Sequence, residues 1–196
     1  IELPGDELAD ERFLGVVGKA DRGALLRRGH ELVHQVEQLI AGLKSLDVKM
    51  LGVPNEGLRI PTDAGILVLS GLGDDLHDEG DDVFCVIDLG GNDTWLRGAS
   101  AVGKRAVSVC IDLAGDDRYV GRKDLSFGAA LGGVAIQWDV AGNDLYDAGH
   151  ASLGAGILGV GVLVDEGGDD VYRCKDFGDG AGAFGIGIAI DGGGND

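Results

Sequence analysis

The sequence predicts a mainly β protein, a parallel β-solenoid (β-helix) of about 26-residue coils with an N-terminal amphipathic α-helical cap. Three observations predict it. A short acidic turn recurs as "IDLGGNDTW" (87–95), "IDLAGDDRY" (111–119), "WDVAGNDLY" (138–146), "VDEGGDDVY" (164–172) and "IDGGGND" (190–196). Its second aspartates fall at 93, 117, 144, 170 and 196, in steps of 24, 27, 26 and 26. Glycines keep the same period independently, at Gly128, Gly154 and Gly180 and again at Gly133, Gly159 and Gly185. Finally, each unit has room for about three short strands but none for a helix between them.

The elements follow in chain order. A short helix is expected over Glu7–Val17. Residues 21–46 read as one amphipathic helix: Leu25, Leu32, Val36, Leu39, Ile40 and Leu43 recur at three- and four-residue steps. Asp21 suits the N-cap and Lys44 the negative end of the helix dipole. "VPNEGLRIPTDAG" (53–65) reads as a linker by its prolines and glycines. Residues 1–62 are therefore a cap or docking segment plus linker, and 63–196 the repeat domain, which stops inside its last repeat. "GDDVF" (80–84) resembles an earlier, degenerate copy of the turn.

Within each unit an apolar strand ends in Asp, turns at glycine, continues in a strand with an aromatic, and returns through a Gly/Ala strand. Stacked coils place equivalent residues about 4.8 Å apart. Trp95, Tyr119, Tyr146 and Tyr172 then form an aromatic ladder, and the glycine columns require close backbone approach. A solenoid needs its apolar ends covered, which gives the 21–46 helix a structural role.

Charge narrows the partners. Residues 63–196 hold 24 acidic and 8 basic residues, a net of −16, out of −18 for the whole chain. Such a surface repels phosphate backbones and attracts cations, so nucleic acid is not an expected partner. The longest apolar run, "LGAGILGVGVLV", falls short of the about 18 residues of a spanning helix. Cys85, Cys110 and Cys174 show no CxxC spacing and read as core thiols. The chain starts at Ile1 and ends inside a repeat, so the remainder of a longer parent chain or a neighbouring solenoid is the expected partner.

Two aspartate columns carry the chemistry: Asp88, Asp112, Asp139, Asp165 and Asp191 in one, and Asp93, Asp117, Asp144, Asp170 and Asp196 in the other. Like charges stacked about 4.8 Å apart repel by about 3.5 kcal/mol per pair at an effective dielectric near 20. Hydration, raised pKa values or bound cations must relieve that repulsion. The position between the columns alternates as Asn92, Asp116, Asn143, Asp169 and Asn195, which halves its charge and adds further candidate ligands.

The tails "GGNDTW" and "GGDDVY" resemble the calcium repeats of the RTX type, whose unit ends in Gly-x-Asp-x-large apolar. The resemblance implies Ca²⁺ held between successive turns by Asp93, Asp117, Asp144 and Asp170, together with turn carbonyls, and an extracellular or cell-surface setting. RTX units recur about every nine residues, whereas here one acidic turn falls in each longer coil. The same residues also suit Asx turns, in which Asp and Asn cap their own backbone beside glycine with no metal.

A second motif lies in the helix. "HELVH" (30–34) resembles the HExxH motif of zinc metallopeptidases. That resemblance implies Zn²⁺ on His30 and His34, Glu31 as general base and Glu56 as the nearest downstream third ligand. The extended HExxHxxGxxH signature is absent, and the segment is smaller than a protease domain. The sequence thus points first to a calcium-binding structural or interaction module and second to a zinc metallopeptidase carrying it. A glycosidase-like acid pair is disfavoured, because catalysis needs two carboxylates in unlike environments and a repeat makes them alike.

Overall fold

The computed structural model describes residues 15, 18–54, 56–121 and 123–196, and the helix expected over Glu7–Val17 falls almost entirely outside them. Helix α1 (Arg22–Lys44) opens where the carboxylate of Asp21 accepts the Ala24 N–H at 2.9 Å. A short 3-10 turn (Val48–Leu51) leads to a hairpin of β1 (Leu58–Thr62) and β2 (Gly65–Leu69). The stretch read as a linker therefore contains a strand. Pro61 is compatible with it because β1 is an edge strand and its N–H-less residue faces no neighbour on that side.

From β2 onward the chain winds in parallel coils. The first continues through β3 (Leu76–His77). Three complete coils follow: β4 (Val83–Asp88), β5 (Thr94–Trp95) and β6 (Ser100–Ala101); β7 (Val107–Asp112), β8 (Arg118–Val120) and β9 (Ala129–Leu131); β10 (Val134–Asp139), β11 (Leu145–Ala148) and β12 (Gly156–Ile157). A fourth comprises β13 (Val160–Asp165), β14 (Val171–Cys174) and β15 (Gly182–Ala183), and β16 (Ile186–Asp191) begins the next. Three sheets result, ordered β1-β2-β4-β7-β10-β13-β16, β3-β5-β8-β11-β14 and β6-β9-β12-β15, and apart from the β1–β2 pair their strands are parallel. The expected β-solenoid of about 26-residue coils is the observed fold.

Alternation along the long strands makes two cores. Inward positions such as Val86, Cys110, Ala135 and Leu163 meet Trp95, Tyr119, Phe127, Tyr146 and Leu153 inside the coil. Outward positions such as Ile87, Val109, Ile111, Val134, Ile136 and Val162 are also apolar, because Val36 and Ile40 of α1 pack onto them. The helix thus lies along the flank of the seven-stranded sheet rather than over an end of the solenoid. Gly29 fixes the approach, since a Cβ there would sit 2.9 Å from the Val160 side chain. Leu39, expected in the buried stripe, is 41% exposed, and Val33 packs on the sheet side instead. At the helix C-terminus Lys44 pairs with Glu166, whose other oxygen accepts the Trp138 indole N–H at 2.9 Å.

The turn copy expected at 80–84 is misplaced. The Asp75 N–H donates to Asp93 Oδ1, the same bond that joins Asp93 to Asp117, so the earlier copy is "LSGLGDDLH" (69–77). Ser70 stands at the first aspartate position and His77 at the aromatic position. Residues 80–82 instead lead into β4, where the Asp82 carbonyl accepts the Ile66 N–H.

Candidate metal centre

The acidic turns stack in register, with Asp88 beside Asp112, Asp112 beside Asp139, Asp139 beside Asp165 and Asp165 beside Asp191. Glycine permits it. Gly115 holds φ +152°, and a Cβ there would fall 1.6 Å from the Gly91 carbonyl oxygen of the preceding coil.

The first-column aspartates Asp88, Asp112, Asp139 and Asp165 are each tied by both oxygens. Oδ1 accepts the N–H two residues on, as at Gly90, Ala114, Ala141, Gly167 and Gly193, which is the Asx-turn bond. Oδ2 accepts from the aromatic of the preceding coil: Trp95 Nε1 to Asp112 at 3.1 Å, the Tyr119 hydroxyl to Asp139 at 2.5 Å, and the Tyr146 hydroxyl to Asp165 at 3.0 Å. His77 heads this ladder, with Nε2 2.8 Å from Asp88 Oδ2 and its ring stacked 3.8 Å from Trp95. Tyr119, Tyr146 and Tyr172 continue the stack at 4.4 and 4.9 Å.

The second column differs. Its Oδ1 atoms accept backbone N–H groups across coils: Asp93 from Asp75, Asp117 from Asp93, Asp144 from Asp117 and Asp170 from Asp144, at 2.6–2.7 Å. Oδ2 of Asp93, Asp117, Asp144 and Asp170 is buried and has no hydrogen-bond partner among the described residues. These four residues are only 1–2% exposed. A buried charged oxygen left unpaired is costly, so four in register demand a partner.

Each of the four belongs to a carboxylate cluster. Asp88, Asp93 and Asp112 form one; Asp112, Asp117 and Asp139 the next; Asp139, Asp144 and Asp165 a third; Asp170, Asp191 and Asp196 a fourth. Within a cluster one oxygen per residue lies within 4.8 Å of the others. Burial, the largest cause, pushes Asp93 up to about 7, Asp144 to about 8 and Asp170 to about 6, against the pull of their N–H donors. Asp112 and Asp139 rise well above the carboxylate range, again chiefly by burial and then by neighbouring carboxylates. Two remedies fit this geometry: a cation between the oxygens, or a proton shared as between Asp112 and Asp117.

The intervening Asn92, Asp116, Asn143 and Asp169 point outward and are exposed. Each accepts the N–H of its counterpart one coil on, at 2.8–2.9 Å, so they form a surface polar ladder outside the clusters. Sequence reasoning missed Asp75 and His77, which with Asp88 form a fifth cluster. The signal was present as "GDDLH", obscured by Ser70 and by a shorter first coil.

The HELVH residues are not brought to this centre. His34 Nδ1 approaches Glu37 at 3.4 Å, and Gln38 reaches its other nitrogen at 3.1 Å. Among the described residues, no three-residue metal cluster includes His30, Glu31, His34 or Glu56. Nor is any described helix long and apolar enough to cross a membrane. Cys85 and Cys110 are buried free thiols, as expected, and half-buried Cys174 donates to the Gly149 carbonyl.

The fold and site together define a parallel β-solenoid with a buried row of aspartates along one corner. No protein-family model, curated protein or solved structure matches this chain.

Proposed function

We propose that the chain is a divalent-cation-binding solenoid module, with Ca²⁺ held between successive turns, serving structure or interaction in a larger assembly. The observation that carries this reading is the row of buried, partnerless Oδ2 atoms on Asp93, Asp117, Asp144 and Asp170, each inside a carboxylate cluster. Carboxylate oxygens from three residues, all within 4.8 Å of one another, are close enough to share one ion at Ca–O distances of about 2.3–2.6 Å. The oxygens already accepting one hydrogen bond keep a second lone pair for the ion.

In this reading Asp88, Asp112 and Asp139, each a member of two clusters, would be shared by neighbouring ions. Bound Ca²⁺ replaces like-charge repulsion with attraction and locks one coil to the next. The setting that suits it is one with millimolar free calcium, outside the cell or at its surface. Thermal unfolding tests it: EDTA lowers the melting temperature of protein purified with calcium, and millimolar Ca²⁺ restores it. A melting temperature indifferent to both removes the cation and leaves shared protons as the remedy.

A further inference from the structure

The first coil has no third strand. Asp75 and Asp93 are 18 residues apart, so the chain passes from His77 straight through 78–82 into β4. The third sheet therefore begins only at β6, and the missing strand leaves a step beside its edge. A cleft of about 220 Å³ opens there, lined by Arg97, Arg105, Lys123, Ser100, Ser126 and Asp81 among others.

Its charge runs against the rest of the domain. Of the eight Lys and Arg residues in 63–196, six fall within 97–123, with only three acids between them, and Asp124 joins Asp81 as the acids of the cleft lining against Arg97, Arg105 and Lys123. Asp81 occupies the space between the two arginines without satisfying either. Its Oδ1 is 3.5 Å from Arg105 Nη2 and 3.7 Å from Arg97 Nη1, and the side chain is 98% exposed. Arg105 is only 15% exposed and anchored by a 2.8 Å bond from Nη2 to the Gly80 carbonyl. Arg97 is held by Asp78 at 2.8 Å and by the Glu79 carbonyl. Both guanidinium groups are thus positioned by neighbouring bonds, while the carboxylate between them is loose. That arrangement is preorganised for an oxyanion.

We propose that this cleft binds a small molecule bearing a carboxylate or phosphate group, which displaces Asp81 from between Arg97 and Arg105. Lys123 adds charge, and the Ser100 and Ser126 hydroxyls line the wall beside it. A simpler role, in which the arginines only pin the 78–82 loop, makes the opposite prediction for Asp81.

Calorimetric titration of the full chain with malonate and, separately, inorganic phosphate decides between them. With Asp81→Asn the internal competitor is gone, and affinity rises about tenfold; Arg105→Gln lowers it by at least as much. Tighter malonate binding assigns a carboxylate ligand, and tighter phosphate binding a phosphate ligand. Lys123→Gln serves as a second variant should Arg105→Gln fail to fold, with a several-fold loss expected. Absence of saturable binding of either anion to both wild type and Asp81→Asn overturns the proposal, as does binding unchanged in the Arg105 and Lys123 variants. The cleft shares no residue with the aspartate clusters, so the outcome is independent of calcium.

Discussion

The backbone N–H of Asp117 donates to Oδ1 of Asp144, one coil further on, at 2.6 Å, and this bond leaves the other Asp144 oxygen buried without a partner. The bond that fixes the register of the coils is thus the one that turns Oδ2 toward its carboxylate neighbours. Structure and cation affinity have one origin, and the two are separable by substitution.

Asp144→Asn keeps the Oδ1 acceptor and replaces the orphan oxygen with an N–H₂ donor, which Asp139 or Asp165 can accept. The expected outcome is a metal-free protein as stable as wild type or more so, with a smaller rise in melting temperature on adding Ca²⁺. Paired melts with EDTA and with Ca²⁺ check it. A variant that loses metal-free stability yet keeps the full calcium response contradicts this assignment.

Stability responds to pH with a defined sign. Asp93, Asp144 and Asp170 have folded-state values raised to about 7, 8 and 6, above the ordinary 3.8. A raised carboxyl contributes stability that is complete below the unfolded value and disappears as pH rises through the folded one. Metal-free protein therefore loses stability between about pH 4 and pH 8, by on the order of 1.4 kcal/mol per pH unit for each group holding a proton. Ca²⁺ binds the ionised forms, so its stabilising effect grows over the same window. Urea unfolding at several pH values, with EDTA and with Ca²⁺, follows both curves.

The aromatic ladder holds the first aspartate column. Tyr119→Phe keeps the ring stack with Tyr146 but removes the hydroxyl donated to Asp139. An expected loss of about 1–3 kcal/mol follows from leaving a buried acceptor unpaired. Tyr172→Phe, at a half-buried position, costs less. Chemical denaturation of both variants checks the order.

The face of α1 that meets the sheet is tested by two truncations. Ile40→Ala removes a side chain buried against the outer core and costs about 2–4 kcal/mol. Leu39→Ala, on the exposed side, stays within about 0.5 kcal/mol. Equal costs would place the helix on a different face.

The repeat was legible because two independent signals, the acidic turn and the glycine columns, shared a period; together they define the coil and the register of Asp88 through Asp191. The helix was legible from its spacing, but not the surface it covers. Both faces of β13, with Val160, Val162 and Val164 on one and Gly161 and Leu163 on the other, lack polar side chains before Asp165, and sequence does not tell which face lies inside. β1 was hidden by Pro61 and its neighbouring glycine, which read as turn chemistry although an edge strand tolerates proline. The first coil was missed because Ser70 and His77 replace the two most diagnostic residues while preserving their bonding positions. Which turn aspartates point inward was also illegible: Asn92 and Asp93 are adjacent and alike, and only strand geometry sends one outward and the other into the cluster.

The most direct test of the central claim is sensitised terbium luminescence. Tb³⁺ takes calcium's oxygen ligands, and Trp95, Tyr119 and Tyr146 donate directly to carboxylates of the clusters. Excitation of these rings in metal-stripped protein loaded with Tb³⁺ is expected to give terbium emission that Ca²⁺ displaces and that Asp117→Asn with Asp144→Asn strongly reduces. An absence of sensitised emission, or emission untouched by Ca²⁺ and by both substitutions, would contradict a cation between the coils.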